Sequence, residues 1–321
     1  MIWSFTALVL SFLATYFTLR LWISVARRFG LVGKDMNKYE RPEVPEAGGF
    51  SVVVGITLGL FVYLFLKAFF GSPSHLPEIY ATISALLFAG FLGFADDILG
   101  WKKGLPRWFK PLLTLFLALP FATLALLYPE YNSFAGVGIP FWVYALFFVP
   151  VGVVGASNAL NMLAGYNGLE AGLSTIILLF LGLKALVLGK LWVAYMSLIG
   201  VSALLAFLMF NWHPARVFPG DTLTYAMGVY VAALAVLGNL EVFALALFPL
   251  FFMELALKIR SRFRAENFGI PDENNVLHPR YDRLYSVTHV FLRFPKMTER
   301  KLVLSILSLQ FLISITTFFL F

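Results

Sequence analysis

Cysteine is absent from the 321-residue chain, which excludes disulfides, thiolate metal sites and cysteine nucleophiles. Charge is scarce as well: Asp, Glu, Lys and Arg make up 13% of the residues, against 60% apolar residues and 35 phenylalanines. A soluble domain needs far more polar surface than this, so a mean hydropathy of +0.85 excludes that class. No internal repeat, Ser- or Gly-rich linker or low-complexity tract divides the sequence. It reads as one integral-membrane domain, 1–321, of the all-α class, because isolated helices satisfy their own backbone in lipid.

Stretches of about 20 mainly apolar residues, the length of a membrane-crossing helix, number about ten. They fall near 2–23, 47–70, 79–95, 111–128, 141–157, 169–188, 191–210, 222–238, 241–259 and 302–321. The first lacks a basic leader and is too long for the apolar core of a cleaved signal, so it is read as a span. The net charge of +7 is then a topology signal rather than a nucleic-acid footprint, and no nucleic-acid partner is expected. Of 24 Lys and Arg, 20 lie in or at the edge of the first, third, seventh and ninth connections. That bias predicts cytoplasmic loops near 24–46, 96–110, 158–168, 211–221 and 260–301, with both termini on the non-cytoplasmic side. Pro120, Pro150 and Pro249 fall inside spans, where they are expected to kink helices and free carbonyls that neighbours must satisfy.

The unusual polar residues gather on the same expected cytoplasmic face. Asp96 and Asp97 close the third span, and adjacent carboxylates at a membrane boundary call for a cation, a basic neighbour or a protonation event. They read equally well as a hydrated helix end balanced by Lys102 and Lys103. In "NALNMLAGYNGLEAG" (158–172), Asn158 and Asn161 share a helical face, and Gly165 and Gly168 permit close backbone approach. Amide oxygens suit hard cations such as Mg²⁺, although a plain Gly/Asn turn with Glu170 at a helix start also fits. In "VFPGDTLTYAMG" (217–228), Asp221 either offers a carboxylate to a metal or simply caps the eighth span. The ninth connection holds "KIRSRFR" (258–264), read as a membrane-surface anchor, and "LHPRYDRLYSVTH" (277–289), whose mixture of Arg, His and Tyr suits phosphate. His75 and His213 read as structural.

With "GFADD", "NALNMLAGYNGLEAG" and "VFPGDT" in this order across nearly the whole chain, the sequence resembles the polyprenyl-phosphate N-acetylhexosamine-1-phosphate transferases. "NGLEAG" is similar to the archaeal and eukaryotic branch that makes dolichyl diphosphate GlcNAc, the first lipid step of N-glycosylation. The resemblance implies transfer of a sugar 1-phosphate from a UDP-N-acetylhexosamine to a polyprenyl (dolichyl) phosphate, with release of UMP, in the cell membrane or the ER membrane. It implies Asn161 and Asp221 as ligands of Mg²⁺, with Mn²⁺ as a substitute, and Asp96 and Asp97 beside the acceptor phosphate. Lys110 would bind phosphate, and Asn167, Gly168 and Asn158 would belong to the nucleotide pocket. Glu46 and Gly48 of "RPEVPEAGG" (41–49) would close that pocket, and Arg280, His278 and Arg283 would meet the diphosphate or the sugar. Homodimerisation stays open, as does a two-step route through a phosphorylated Asp. The rival readings are a bacterial-type transferase using undecaprenyl phosphate, a transporter, for which Glu254 is the main deeply set carboxylate, and a non-catalytic scaffold.

Overall fold

The computed structural model describes residues 2–70, 74–99, 109–132, 134 and 138–321. Lys102 and Lys103, the expected counter-charges of the aspartate pair, lie outside the described residues. The fold is all-α, apart from two small antiparallel hairpins: β1 (Val32–Lys34) with β2 (Glu43–Pro45), and β3 (Ile270–Pro271) with β4 (Leu277–His278).

Among the described residues, nine helices are long and apolar enough to cross a membrane. They comprise α1 (Ile2–Arg28), α2 (Gly49–Phe69), α3 (Leu76–Leu99), the pair α4 (Phe109–Phe116) and α5 (Leu119–Leu127), and the continuous run α6 (Phe141–Val143) into α7 (Val149–Met162). Then follow α8 (Leu169–Val187), α9 (Leu191–Asn211), α10 (Gly220–Leu237) and α14 (Glu299–Leu320). The expected span 241–259 differs, because it is broken into α11 (Glu241–Ala246) and α12 (Pro249–Arg260). Pro249 opens α12, where its missing N–H costs nothing, and it cannot continue α11. The carbonyls freed at the break find partners on α14: Thr317 Oγ1 donates to Ala246 at 3.0 Å and Gln310 Nε2 to Leu247 at 2.9 Å. Broken helices persist at membrane depth only where neighbours re-satisfy the backbone in this way. Pro150 has a milder effect, since the turn before it, Tyr144–Phe148, widens to π geometry.

Helix α10 is the centre of the bundle, and every residue from Thr222 to Leu237 is buried. Leu223, Tyr230 and Leu234 enter one apolar cluster with α2, α8, α9 and α14. Tyr225, Val229 and Ala233 enter a second cluster with α3, α5 and α7. A helix that is apolar all round is buried all round. Three glycines let its neighbours approach closely: Gly49 of α2, Gly93 of α3 and Gly228 of α10 itself. A Cβ at Gly93 would stand 2.5 Å from the Thr222 backbone, and one at Gly228 would overlap the backbone of Ser157. Without a hydrophobic drive between helices in lipid, such close packing is a main source of association.

Glu254, the deep carboxylate of the transporter reading, is fully buried and holds the ninth connection in place. It accepts from Ser286 Oγ at 2.9 Å and Val287 N at 2.7 Å, at the start of α13 (Val287–Phe291), with Lys258 3.7 Å away. Far from this end, Tyr131 donates to Glu78 at 2.5 Å and Tyr144 donates to Glu241, which ties α3 and α11 to neighbouring segments.

Gly228→Ala should therefore overpack the α7–α10 seam at a cost of about 1–3 kcal/mol. Gly152 has nothing within 4 Å of an added Cβ, so Gly152→Ala should be neutral or slightly stabilising. Thermal unfolding in detergent checks both; equal midpoints for the two variants would contradict the central packing role of Gly228.

Candidate active site

Asp96 and Asp97 occupy the last turns of α3, about 100° apart around the helix axis. That divergence sends them to different tasks. Asp97 accepts from Asp221 N at 2.7 Å, Thr222 N at 3.1 Å and Thr222 Oγ1 at 2.5 Å. It thus caps the first turn of α10 from another helix, meeting N–H groups that have no partner within α10 itself. Gly220 takes φ +69° beneath it, and an added Cβ there would strike the Asp97 carboxylate.

Asp96 instead meets Lys110, whose ammonium lies 2.5 Å from Asp96 Oδ2 and 2.5 Å from Asp221 Oδ2. The same ammonium sits 5.8 Å above the Tyr225 ring. Asn161, in the last turn of α7, donates to Asp221 Oδ1 at 2.6 Å and to Thr224 Oγ1 at 3.1 Å. Four elements, α3, α4, α7 and α10, thereby bring Asp96, Lys110, Asn161 and Asp221 together. Asn158, one turn earlier, faces α4 instead, donating to Thr114 Oγ1 at 3.2 Å and to Val154 O at 2.8 Å.

The segment 45–49 is stitched to 217–220 by backbone bonds: Phe218 N to Pro45 O at 2.7 Å, Gly48 N to Phe218 O at 2.9 Å and Gly49 N to Pro219 O at 2.9 Å. A side chain at Gly48 would collide with Val217 and the Phe218 carbonyl, so the glycine is required by this pairing. Beside it, Glu46 is pushed above the usual carboxylate range by burial and then by the charge of Asp221. Its backbone carbonyl accepts from Trp22 Nε1 at 2.8 Å. Trp22 forms an aromatic triangle with Phe50 and Phe94, which fixes α1, α2 and α3 under the site.

Loop 163–168 lies on the other flank. Gly165 and Gly168 adopt φ of +111° and +85°, a region that favours glycine. Asn167 is buried: its N–H donates to Glu299 Oε1 at 2.8 Å and its Nδ2 to Asp35 Oδ2 at 3.0 Å. Gly168 N donates to Asn211 Oδ1 at 3.1 Å. Tyr166 donates to Asn267 O at 2.8 Å, and burial raises its phenol above the ordinary value.

The residues of the ninth connection form a group of their own. Arg280 pairs with Glu266, His278 Nε2 lies 3.1 Å from Asp272 Oδ2, and Arg283 is exposed. His289 is buried and held below the ordinary imidazole range by that burial; its Nδ1 accepts from Tyr285 N at 3.2 Å and its Nε2 contacts Glu266 O at 3.0 Å. His75 stacks on Trp192 with ring centroids 4.4 Å apart. Sequence reasoning did not single out Asp35, Asn37, Lys38, Asn267 or Glu299. The Lys38–Glu299 pair spans 261 positions, and no local pattern announces it.

The geometry is that of a charge-dense site at one end of a membrane bundle, built from the three segments that carried the resemblance together with Lys110 of α4. The profile of "Glycosyl transferase family 4" matches residues 79–239, half of the chain and most of this site. The chain belongs to glycosyl transferase family 4. A protein of Sulfolobus acidocaldarius named "Putative UDP-N-acetylglucosamine--dolichyl-phosphate N-acetylglucosaminephosphotransferase" is 30% identical over 96% of this chain and 93% of its own length. A protein of Saccharolobus solfataricus with the same name is 30% identical over 92% of this chain and 90% of its own. A "Phospho-N-acetylmuramoyl-pentapeptide-transferase" of Fervidobacterium nodosum is 33% identical over 69% and 68%. Family membership thus joins relatives that match nearly end to end with others that match about two thirds.

Removing the Asp97 cap strands three donors at a buried helix start, so Asp97→Ala should cost about 2 kcal/mol or more in stability. Asp97→Asn, which keeps one accepting oxygen, should recover part of it. Thermal unfolding in detergent is the measurement, and a wild-type midpoint for Asp97→Ala would contradict the capping role.

Proposed function

We propose that this protein transfers GlcNAc-1-phosphate from UDP-GlcNAc to a dolichyl-type polyprenyl phosphate, giving the diphosphate-linked lipid and UMP and so initiating lipid-linked oligosaccharide synthesis for N-glycosylation. The observation that carries this reading is the Lys110 ammonium held between Asp96 and Asp221 at the mouth of an apolar bundle. The names of the relatives that match almost end to end support the substrate pair. The positive-inside bias supports a cytoplasmic orientation for this end.

The donor set suits Mg²⁺. Asp221 supplies a carboxylate and Asn161 an amide, both hard oxygen donors, and the neighbouring ammonium indicates that the position already stabilises positive charge. The Asn161 amide offers its oxygen by a half-turn about its last bond. Asn161 and Asp221 would hold the ion, with Mn²⁺ as a substitute, and bound metal would neutralise the diphosphate of the donor.

The remaining work falls to the chain itself. A lipid phosphate monoester is largely ionised near neutral pH, so it needs orientation more than deprotonation. Lys110 supplies charge to the acceptor phosphate, and Asp96 holds that ammonium in place. The acceptor oxygen attacks the β-phosphorus of UDP-GlcNAc, a new P–O bond forms, the bond to the bridging oxygen breaks, and UMP leaves with the electron pair. The commitment of both Asp97 oxygens to α10 favours direct displacement over a route through a phosphorylated Asp97. The nucleotide is assigned to the side of loop 163–168, whose glycines themselves pack against Phe268 and Trp212, and Arg280 swings from Glu266 towards the diphosphate or sugar. Transport is disfavoured, because Glu254 is occupied in holding α13.

Detergent-purified protein given UDP-GlcNAc and dolichyl phosphate should release UMP with Mg²⁺ and not with EDTA, in step with a GlcNAc diphospho-lipid. Asp221→Ala should reduce turnover roughly 100-fold or more, and Lys110→Ala should chiefly raise KM for the lipid phosphate. Absence of UMP across several UDP-sugars and polyprenyl phosphates, from folded protein, would sink the reading; a preference for undecaprenyl phosphate would assign the chain to the bacterial type.

A further inference from the structure

A glycine-rich loop is floppy by nature, and loop 163–168 has glycines at positive φ on both sides of Asn167. Glu170 accepts from Gly165 N locally at 2.7 Å, but the groups around Asn167 are engaged by residues far away in the sequence. Asp35, Asn37 and Lys38 come from the turn after β1, His213 follows α9, and Glu299 opens α14. Glu299 Oε1 accepts the Asn167 N–H at 2.8 Å, and Asp35 Oδ2 accepts from Asn167 Nδ2 at 3.0 Å. Asn37 Nδ2 donates to the Gly165 carbonyl at 2.7 Å, and its own N–H donates to Asp35 Oδ1 at 3.1 Å.

Lys38 makes this arrangement tenable. Its ammonium pairs with Glu299 Oε2, stands 3.5 Å from Asp35 Oδ2 and lies 3.2 Å from His213 Nδ1, which is itself 3.1 Å from Glu299 Oε2. The Glu299 side chain is 2% exposed and that of Asp35 4%, so two carboxylates are withdrawn from water around one cation. Buried charge persists only when paired and hydrogen-bonded, and removing one partner leaves the other uncompensated. On the opposite side, Asn267 Nδ2 bonds the carbonyls of Met162 and Ala164 at 2.8 and 2.9 Å, so the loop is clamped from both ends.

We propose that Lys38 and Glu299 are positioning residues for the donor: their ion pair holds loop 163–168 in its nucleotide-binding shape and thereby sets affinity for the UDP-sugar without touching the reacting atoms. The inference rests on the transferase reading above, in which this loop meets the nucleotide. It separates donor binding from the Asp96–Lys110–Asp221 group, which serves the acceptor and the transfer itself.

The test compares Lys38→Met, Glu299→Gln, the double variant and Lys38→Arg by steady-state kinetics and by amide hydrogen exchange of residues 165–168. Each single variant should raise KM for UDP-GlcNAc about tenfold while leaving kcat and KM for dolichyl phosphate within about twofold. The double variant should be no worse than the poorer single, Lys38→Arg should restore the donor KM, and exchange at 165–168 should accelerate in step with the kinetic defect. Lys38 is the more open partner, so Lys38→Met keeps the test available if Glu299→Gln does not fold. Unchanged donor KM in an active enzyme, or a loss confined to kcat, would overturn the positioning role and leave the transferase reading intact. Wild-type protein that releases no UMP would overturn the transferase reading itself, and the donor-affinity role with it.

Discussion

The site depends on how the N-terminus of a buried helix is satisfied. α10 begins at Gly220 with backbone donors that have no partner inside the helix, and Asp97 of α3 accepts from them. The cap fixes the axial position of α10 against α3. It works only because Gly93 lets the two backbones approach and Gly220 leaves room for the Asp97 carboxylate. Once Asp97 is committed, the helical pitch turns Asp96 towards Lys110 and sets Asp221, one residue into the capped turn, opposite it.

Charge at this end is handled by neutralisation in place. Lys110 sits between two carboxylates, Lys38 between two others, and Lys258 reaches Glu254 and Asn267 behind the loops. Lys110 and Lys38 each join segments that are distant in sequence, so these pairs act as joints between connections, whereas Lys258 ties the end of α12 to the loop that follows it. The result is a polar end whose members are mutually constrained, above a bundle that is apolar on both faces of its central helix. The same rule governs the broken helix at 247–248, whose freed carbonyls are met by Gln310 and Thr317.

Such constraint suits phosphoryl transfer between two anions, where positioning and fixed charge supply most of the barrier reduction. The division of labour follows the fold: α3, α4, α7 and α10 converge on the charged group, whereas the first connection and the start of α14 converge on loop 163–168. Under the proposed function, the two neighbouring regions would serve the two substrates.

Much was legible from local pattern alone. Apolar runs of membrane length located nine of the ten expected spans as single crossing segments, because the bilayer imposes its thickness on every helix independently. Local pattern singled out Asp96, Asn161 and Asp221 as polar residues at span ends, whereas Lys110 and the grouping of the four in one site came from the family resemblance. Other features were decided only by tertiary structure. Which of two adjacent aspartates caps α10 depends on the rotation of α3. Asn167 is spent on Asp35 and Glu299, and Lys38 meets a partner 261 positions away. The direction of a side chain and the identity of a remote partner are set by helix packing, and packing is a property of the folded chain as a whole.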